Sequence, residues 1–465
     1  MCSHFLSSSD SSVARALVSE DKTYRYNTVF TPGKLPPCPF AADQLTPQEA
    51  GVFLDYLFDG LLRRSRAQGS CGSCWAYSVT GCVGYAARRA YRDLGCFFNA
   101  QYMSHQYLLT CMQVEGVACG CWGGNLPEAF RALEERGAVT FLQFPYENDE
   151  SVSTSEGQVH YVCKANADAG GYLGTCGPCA AGEASFEVVV RASELGAKAP
   201  EGFLELVTCM PCESVGGPFY HPAGSCSVFD PRRSLQENVD ATKSALRRFG
   251  PLSTALRINQ QDFAAANRPE VLRRLRDAPV YRPVRTPAAG GLHAVLIVGY
   301  WDPWAQSGLA EDRARAVFVC RNSWGPEWGF KVRSVEVVEK DHRELRLSPV
   351  TLGGFFCVAM YDAVEATGVL EHAVAVPRLR IRPTTTEPPR ELSSDDPFLF
   401  KFPPGMQRDL KHFSRGAEDS LEARWSTATL ARDGASPSAG AESALPWLAA
   451  LAAALFLLML LVAGW

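Results

Sequence analysis

The chain has 465 residues, room for one large or two modest domains, and 46% are hydrophobic, enough for an ordinary buried core. A formal net charge of −5, with no Lys/Arg block, carries no nucleic-acid signature. The 17 cysteines point to disulfides in an oxidising compartment or to metal, and the odd count leaves at least one unpaired in a monomer.

In chain order, Met1 to Asp21 lacks the basic start and apolar run of a signal peptide. Residues 1–34 read as a loosely ordered N-terminal segment. A Pro-rich entry (Pro32, Pro36, Pro37, Pro39) opens a folded region over 35–370. Within it a helix is expected over Thr46–Arg64. A second runs over Ser73–Arg92, where apolar residues keep helical spacing, and a third over Leu126–Arg136 with Gly137 as its stop. A fourth covers Val239–Phe249 and ends at Gly250-Pro251. Strands are expected over Ala294–Tyr300, Ala316–Arg321 and Phe355–Tyr361. The mixture is α+β. Among the histidines, His105 sits in an apolar helix-like segment and reads as a packed core group.

Composition shifts after about Glu371. Pro, Thr, Ser, Glu and Arg dominate 371–444, which reads as a disordered stalk with too little apolar area to offset its ordering entropy. Residues 445–465 are free of charge and bounded by Trp447 and Trp465. As a helix they reach roughly 31 Å, enough to cross a bilayer core, and indoles favour its interfaces. This gives a single-pass C-terminal membrane anchor. A competing reading is a GPI-attachment signal with its small residues at Asp433-Gly434-Ala435.

The strongest chemistry lies in QGSCGSCWAYS, Gln68 to Ser78. A thiol is a poor nucleophile until ionised. Cys74 at the first turn of a helix faces unsatisfied backbone N–H groups and the positive end of the dipole. Gly69 and Gly72 allow a tight bend, and the side-chain amide of Gln68 can donate to a developing oxyanion. A base comes from His293, held rigidly at the mouth of the apolar strand AVLIVGY. Asn322, in NSWGPEWGF, can accept from one imidazole nitrogen and fix the tautomer, while Trp324 shields that bond from water.

QGSCGSCWAYS, LHAVLIVGYW and NSWGPEWGF, in the order Cys, His, Asn, together resemble the papain/cathepsin cysteine proteases. The segment Leu108-Leu109-Thr110-Cys111, Cys119-Gly120-Cys121-Trp122-Gly123-Gly124 and Pro145-Tyr146 is most similar to the cathepsin B-like subgroup. The resemblance implies a two-lobed fold, with a helical left lobe and a β-barrel-like right lobe. It implies Cys74 as nucleophile, His293 as base, Asn322 as orienter and Gln68 as oxyanion donor. It further implies Gly123 and Gly124 as the edge that pairs with substrate backbone, and disulfides Cys71–Cys121 and Cys111–Cys163. It places Asp362, five residues after Cys357, at the base of the S2 pocket, where a carboxylate would accept Arg. Protein or peptide substrates follow, with no nucleic-acid partner.

Cys74 and His293 stand farther apart than the about 130–150 residues usual in the family, which puts an insertion over about 147–235. A long hairpin is expected around 301–315. Leu292 and Tyr77 depart from the residues commonest at their positions, and residues 1–34 hold at most a short pro-region. No His-His pair is present, so endopeptidase rather than carboxydipeptidase activity is expected. The insertion carries CGPC at 176–179 and CMPC at 209–212; Cys176, Cys179, Cys209 and Cys212 suit either disulfides or one structural zinc. No other cofactor is implied. The rival to an enzyme is a catalytically silent papain-like binding or structural protein.

Overall fold

The computed structural model describes residues 35–39, 45–68, 72–100, 102–111, 124–144, 186–189, 204–207, 215–272, 274–282, 292–340, 344–361, 367–396, 399–403 and 406. The chain divides into two units, Met1–Leu421 and Glu422–Trp465, and all described residues fall in the first. The expected membrane helix over 445–465 therefore lies outside the described residues, and among those described no helix is long and apolar enough to cross a membrane. Cys176, Cys179, Cys209 and Cys212 also lie outside them, as do both halves of the expected Cys71–Cys121 pair.

Helix α1 (Pro47–Gly51) opens the fold with a capping box: Thr46 Oγ1 accepts from the Glu49 N–H, and the Glu49 carboxylate accepts from the Thr46 N–H. It is one turn long, not the helix expected to Arg64. Val52 and Phe53 leave it as strand β1 (Val52–Phe53), paired with Trp301 and Tyr300. Strand pairing by a β-branched and an aromatic residue overrides the local helical pattern. Helix α2 (Cys74–Asp93) follows the expected span and is buried on nearly every side, so it is a core helix. Strand β2 (Cys96–Phe98) and helix α3 (His105–Cys111) come next. Helix α4 (Leu126–Arg136) is capped by Asn125, whose side chain accepts from the Glu128 N–H, and stops at Gly137 with φ +82°.

Strands β3 (Phe186–Val189) and β4 (Leu204–Val207) form a separate antiparallel pair. Strands β5 (Phe219–Ala223) and β6 (Cys226–Ser227) precede helix α5 (Leu235–Phe249). This helix starts four residues before the expected Val239, because Ser234 and Glu237 form a capping box. The expected insertion to about 235 thus ends earlier, since β5 and β6 already belong to the paired framework. Strand β7 (Leu252–Arg257), helix α6 (Gln260–Ala265), strand β8 (Val280–Tyr281) and the long strand β9 (Leu292–Trp301) follow. Short helices α7 (Trp304–Ser307) and α8 (Ala310–Arg313) fill the connection to strand β10 (Val317–Arg321), which runs antiparallel to β9. Strands β11 (Phe330–Lys340) and β12 (Glu344–Ala359) make a long hairpin; β12 begins well before the expected Phe355. Strands β13 (Val374–Ala375), β14 (Arg378–Arg382), β15 (Arg390–Glu391) and β16 (Leu399–Lys401) complete the described chain.

The main sheet runs β11-β12-β10-β9-β7-β13-β6, with β1 on β9 and β8 on β12. The architecture is α+β. Helix α2 lies against β9, where the Ser78 hydroxyl donates to the Val295 carbonyl at 2.6 Å, and against the start of β7, where the Cys82 thiol contacts the Pro251 carbonyl at 3.1 Å. Strand β6 carries Cys226, disulfide-bonded to Cys38. This pair is not among the disulfides expected from the sequence. Cys111 is also disulfide-bonded.

The stalk expected from 371 is corrected by β13 to β16. Strand β14 pairs with β5 from Arg378↔Ala223 to Arg382↔Phe219, and β16 pairs with β2 from Leu399↔Phe98 to Lys401↔Cys96. Leu379 and Ile381 are buried while Arg378 and Arg380 are exposed, the alternation of a half-buried strand. The buried Asp396 carboxylate then closes the strap, accepting from Tyr91 Oη (3.0 Å), Arg390 (2.6 Å) and the Ser393 N–H (2.7 Å). Met406, Phe400 and Phe402 pack with Phe97, Val335, Val337 and Leu345.

Candidate active site

Helix α2 begins at Cys74 with Ser73 as N-cap residue, whose own side chain makes no capping bond. The Cys74 sulfur therefore stands in the first turn, where backbone N–H groups have no intrahelical acceptor. Cys74 is not in a disulfide and is fully buried. Its sulfur accepts from the Ala294 N–H at 3.5 Å, the residue after His293. The start of α2 and the start of β9 thus meet at the thiol.

His293 is the second residue of β9 and pairs with Leu256 of β7. Its Nε2 lies 2.7 Å from Asn322 Oδ1, which also accepts from the Ser323 N–H at 2.8 Å. An amide oxygen only accepts, so the imidazole proton sits on Nε2 and Nδ1 carries the lone pair. Burial pushes the imidazole down to about 4, while the bond to Asn322 works in the other direction. His293 is consequently neutral at pH 7 in this closed arrangement, where neither it nor Cys74 has exposed surface.

Asn322 is held from both sides. Its N–H donates to the Gly354 carbonyl at 2.7 Å, and its carbonyl accepts from Ser65 Oγ at 2.6 Å. Gly354 has φ +88°, and a Cβ there would lie 2.6 Å from the Ser65 Cβ, so glycine is required at this crossing. Gln68 is fixed by the neighbouring Ser323. The Gln68 N–H donates to the Ser323 carbonyl at 2.8 Å, and Ser323 Oγ donates to Gln68 Oε1. The amide therefore turns its Nε2 away from Ser323. Ser65, Ser323 and Gly354 were not legible as site residues, because each acts through a backbone group of a residue distant in sequence.

Aromatic rings enclose the His–Asn pair. Trp324 lies 4.8 Å from the His293 ring between centroids, and Phe263 of α6 lies 5.9 Å away. Phe263 also stacks on Trp328 at 5.1 Å and meets Trp324 edge-on at 5.1 Å. These rings keep the His293–Asn322 bond away from water, where it is stronger. Tyr77 uses its hydroxyl to donate to the Ala67 carbonyl at 3.0 Å, and its ring stacks on the buried His105 at 3.8 Å. Gly124 approaches Trp75 so closely that a Cβ would lie 2.4 Å from the indole. Gly123 and Asp362 lie outside the described residues. Among the described residues no His/Cys/Asp/Glu group could hold a metal ion.

Residues 58–192 match the model of the papain family cysteine proteases. That span contains Gln68 and Cys74 and ends before His293. Among curated proteins, "Cathepsin Q" of Rattus norvegicus is 23% identical over 280 residues, 60% of this chain and 56% of the rat protein. "Cathepsin B-like CP3" of Giardia intestinalis is 25% identical over 296 residues, 62% of this chain and 68% of that protein. The first of these matches thus spans little more than half of its relative's length. Among solved structures, the proCathepsin B S9 of Trypanosoma congolense covers 81% of this chain and 88% of its own, at 15% identity and a TM-score of 0.40. The family model and the cathepsin relatives thus agree in the likeness of this chain to the papain family of cysteine proteases.

Proposed function

We propose that the chain is a membrane-tethered cysteine endopeptidase that hydrolyses peptide bonds through Cys74, His293 and Asn322. The observation that carries this reading is the 2.7 Å bond from His293 Nε2 to Asn322 Oδ1, with the Cys74 sulfur bonded to the backbone beside His293. When a substrate enters and the site opens, His293 Nδ1 takes the thiol proton and the thiolate attacks the scissile carbonyl. Gln68 Nε2 and the first N–H groups of α2 face the oxygen that becomes negative. His293 then protonates the leaving amine, and a water activated by the neutral imidazole releases the acyl group. Asp362 at the S2 pocket would favour Arg beside apolar side chains. Cys176, Cys179, Cys209 and Cys212 serve structure, as disulfides or zinc ligands, which mass spectrometry of the non-reduced chain with zinc determination distinguishes. The charge-free stretch 445–465 supports membrane tethering.

The test is hydrolysis of peptide libraries by the full chain and by Cys74→Ala. Wild type cleaves internal bonds, and the variant loses at least about 10³-fold in rate. Equal inertness of two correctly folded proteins would favour the silent binding homologue. Deleting 445–465 is expected to move the protein from the membrane to the soluble fraction; an unchanged distribution contradicts the anchor.

A further inference from the structure

Gln68 and Cys74 stand six residues apart in sequence, and Tyr77 is bonded to the chain at both ends of that interval. At the first end, Ala67 pairs antiparallel with Trp324. The Gln68 N–H donates to the Ser323 carbonyl at 2.8 Å, and the Gly325 N–H donates to the Arg66 carbonyl at 3.2 Å. In such a pair the backbone groups of successive residues point to opposite sides. The carbonyl of Ala67, between these two bonds, therefore faces away from 323–325. Ala67 is buried, and a buried carbonyl needs a donor. It accepts from the Tyr77 hydroxyl at 3.0 Å.

At the second end, the Tyr77 N–H donates to the carbonyl of Ser73, the residue before Cys74, at 3.1 Å. The phenol itself is held in place. Its ring stacks on the buried His105 at 3.8 Å, with 21° between the planes. Thr80 Oγ1 donates to the Ala76 carbonyl at 2.6 Å and so accepts from His105 Nδ1. Burial holds this imidazole well below its ordinary range, so a neutral ring lies on the phenol. Tyr77 departs from the residue commonest at its position. A phenyl ring there would keep the stack on His105 but leave the Ala67 carbonyl without the hydroxyl that now donates to it.

We infer that Tyr77 is a positioning residue for the oxyanion donor: its hydroxyl, through the Ala67 carbonyl, sets where the Gln68 amide stands relative to the Cys74 sulfur. Ser323 fixes Gln68 from one side, through its own carbonyl and hydroxyl. Tyr77 fixes the preceding peptide from the other side and ties it to the helix that carries Cys74. A donor stabilises developing charge fully only when it is in place beforehand. A misplacement of about 1 Å can cost about 10²-fold in rate. The inference rests on the protease reading of Cys74 and Gln68, and its test separates the two.

The measurement is a double-mutant cycle of Tyr77→Phe and Gln68→Ala in the full chain, read by peptide hydrolysis and by binding of a peptide aldehyde. The Cys74 sulfur adds to the aldehyde carbon, and the carbonyl oxygen takes the released electron pair and the thiol proton. That oxygen then stands where the oxyanion of the reaction develops. Tyr77→Phe is expected to lower kcat and aldehyde affinity about 10-fold, with KM within about twofold of wild type. Its unfolding midpoint should fall by only about 2–4 °C. Gln68→Ala should lose about 10²-fold, and adding Tyr77→Phe to it should cost less than about twofold more. Alkylation of Cys74 by iodoacetamide, which builds no oxyanion, should proceed in Tyr77→Phe at the wild-type rate. Effects that multiply in the double variant, or an alkylation rate that falls with kcat, would make the bond a general structural tie and overturn the positioning role. A Tyr77→Phe chain that does not fold would do the same. Wild-type kcat in Tyr77→Phe would overturn the role while leaving the protease reading intact. A folded wild-type chain that neither cleaves peptides nor binds the aldehyde would overturn that reading, and this inference with it.

Discussion

At His293 burial and hydrogen bonding act against each other, and burial prevails. The imidazole falls to about 4 from about 6.5 in an unfolded chain. Between pH 6.5 and 4 the unfolded chain therefore binds the extra proton, so stability falls as the pH falls through this window and levels off below it. The group's share of that loss is about 3 kcal/mol. His293→Gln should lose correspondingly less stability than wild type between pH 6.5 and 4 in urea unfolding; parallel curves would mean that His293 is not buried as the neutral base. Asn322→Ala removes the acceptor of a bond that becomes charge-assisted when His293 is protonated. It should lower kcat/KM by about 10–100-fold with the fold intact, and an unchanged value would remove Asn322 from the mechanism. Cys74, His293, Asn322 and Gln68 stand out in the sequence as candidates because each sits in a short run whose neighbours could serve the same chemistry, and the structure brings His293 to Asn322 and the Cys74 sulfur to Ala294. Ser65, Ser323 and Gly354 do not stand out, since a hydroxyl on a distant carbonyl or a glycine at a crossing of two segments leaves no local pattern.

The elements that were legible are those with their own punctuation. Helix α4 has Asn125 and Gly137 at its ends, and β9 is a continuous apolar run. Where local pattern and tertiary pairing disagreed, pairing prevailed, as at β1, where Val52 and Phe53 join β9 instead of extending α1. The largest misreading was the strap from β13 to β16. RLRIR alternates over only five residues inside a stretch dominated by Pro, Thr and charge, and its partner β5 is over 150 residues earlier in the chain. Composition averaged over such a stretch conceals a strand. The strap makes a firm prediction. Asp396→Ala leaves the Tyr91 hydroxyl and the Arg390 guanidinium without their carboxylate, and should destabilise the folded unit by about 2–4 kcal/mol in denaturant unfolding. A chain ending at residue 370 should be insoluble or unfolded where one ending at residue 410 is folded. Equal behaviour of the two would return 371–410 to the status of a stalk.

Over the whole molecule, the Cys38–Cys226 disulfide joins residues 188 apart in sequence and fastens the entry segment beside β6, where the Cys38 N–H donates to the Ser227 carbonyl. A link that closes so long a loop restricts the unfolded chain strongly. Cys38→Ser with Cys226→Ser should cost about 2–4 kcal/mol in unfolding free energy; no loss would mean that the backbone bonds alone secure the entry segment. Among the described residues, Cys74, Cys82, Cys96, Cys320 and Cys357 lie outside disulfides and are buried. Burial pushes Cys82 up to about 12 and raises Cys357 and Cys320 as well, which leaves them inert as nucleophiles. Cys74 differs in standing at a helix N-terminus, with its sulfur bonded to the N–H of the residue after His293. The most direct test uses the full chain and an epoxysuccinyl thiol inhibitor, with the modified peptide located by mass spectrometry. The account predicts stoichiometric labelling at Cys74, abolished in His293→Ala. Labelling at another cysteine, or none on a folded chain across pH 4 to 7, would contradict it.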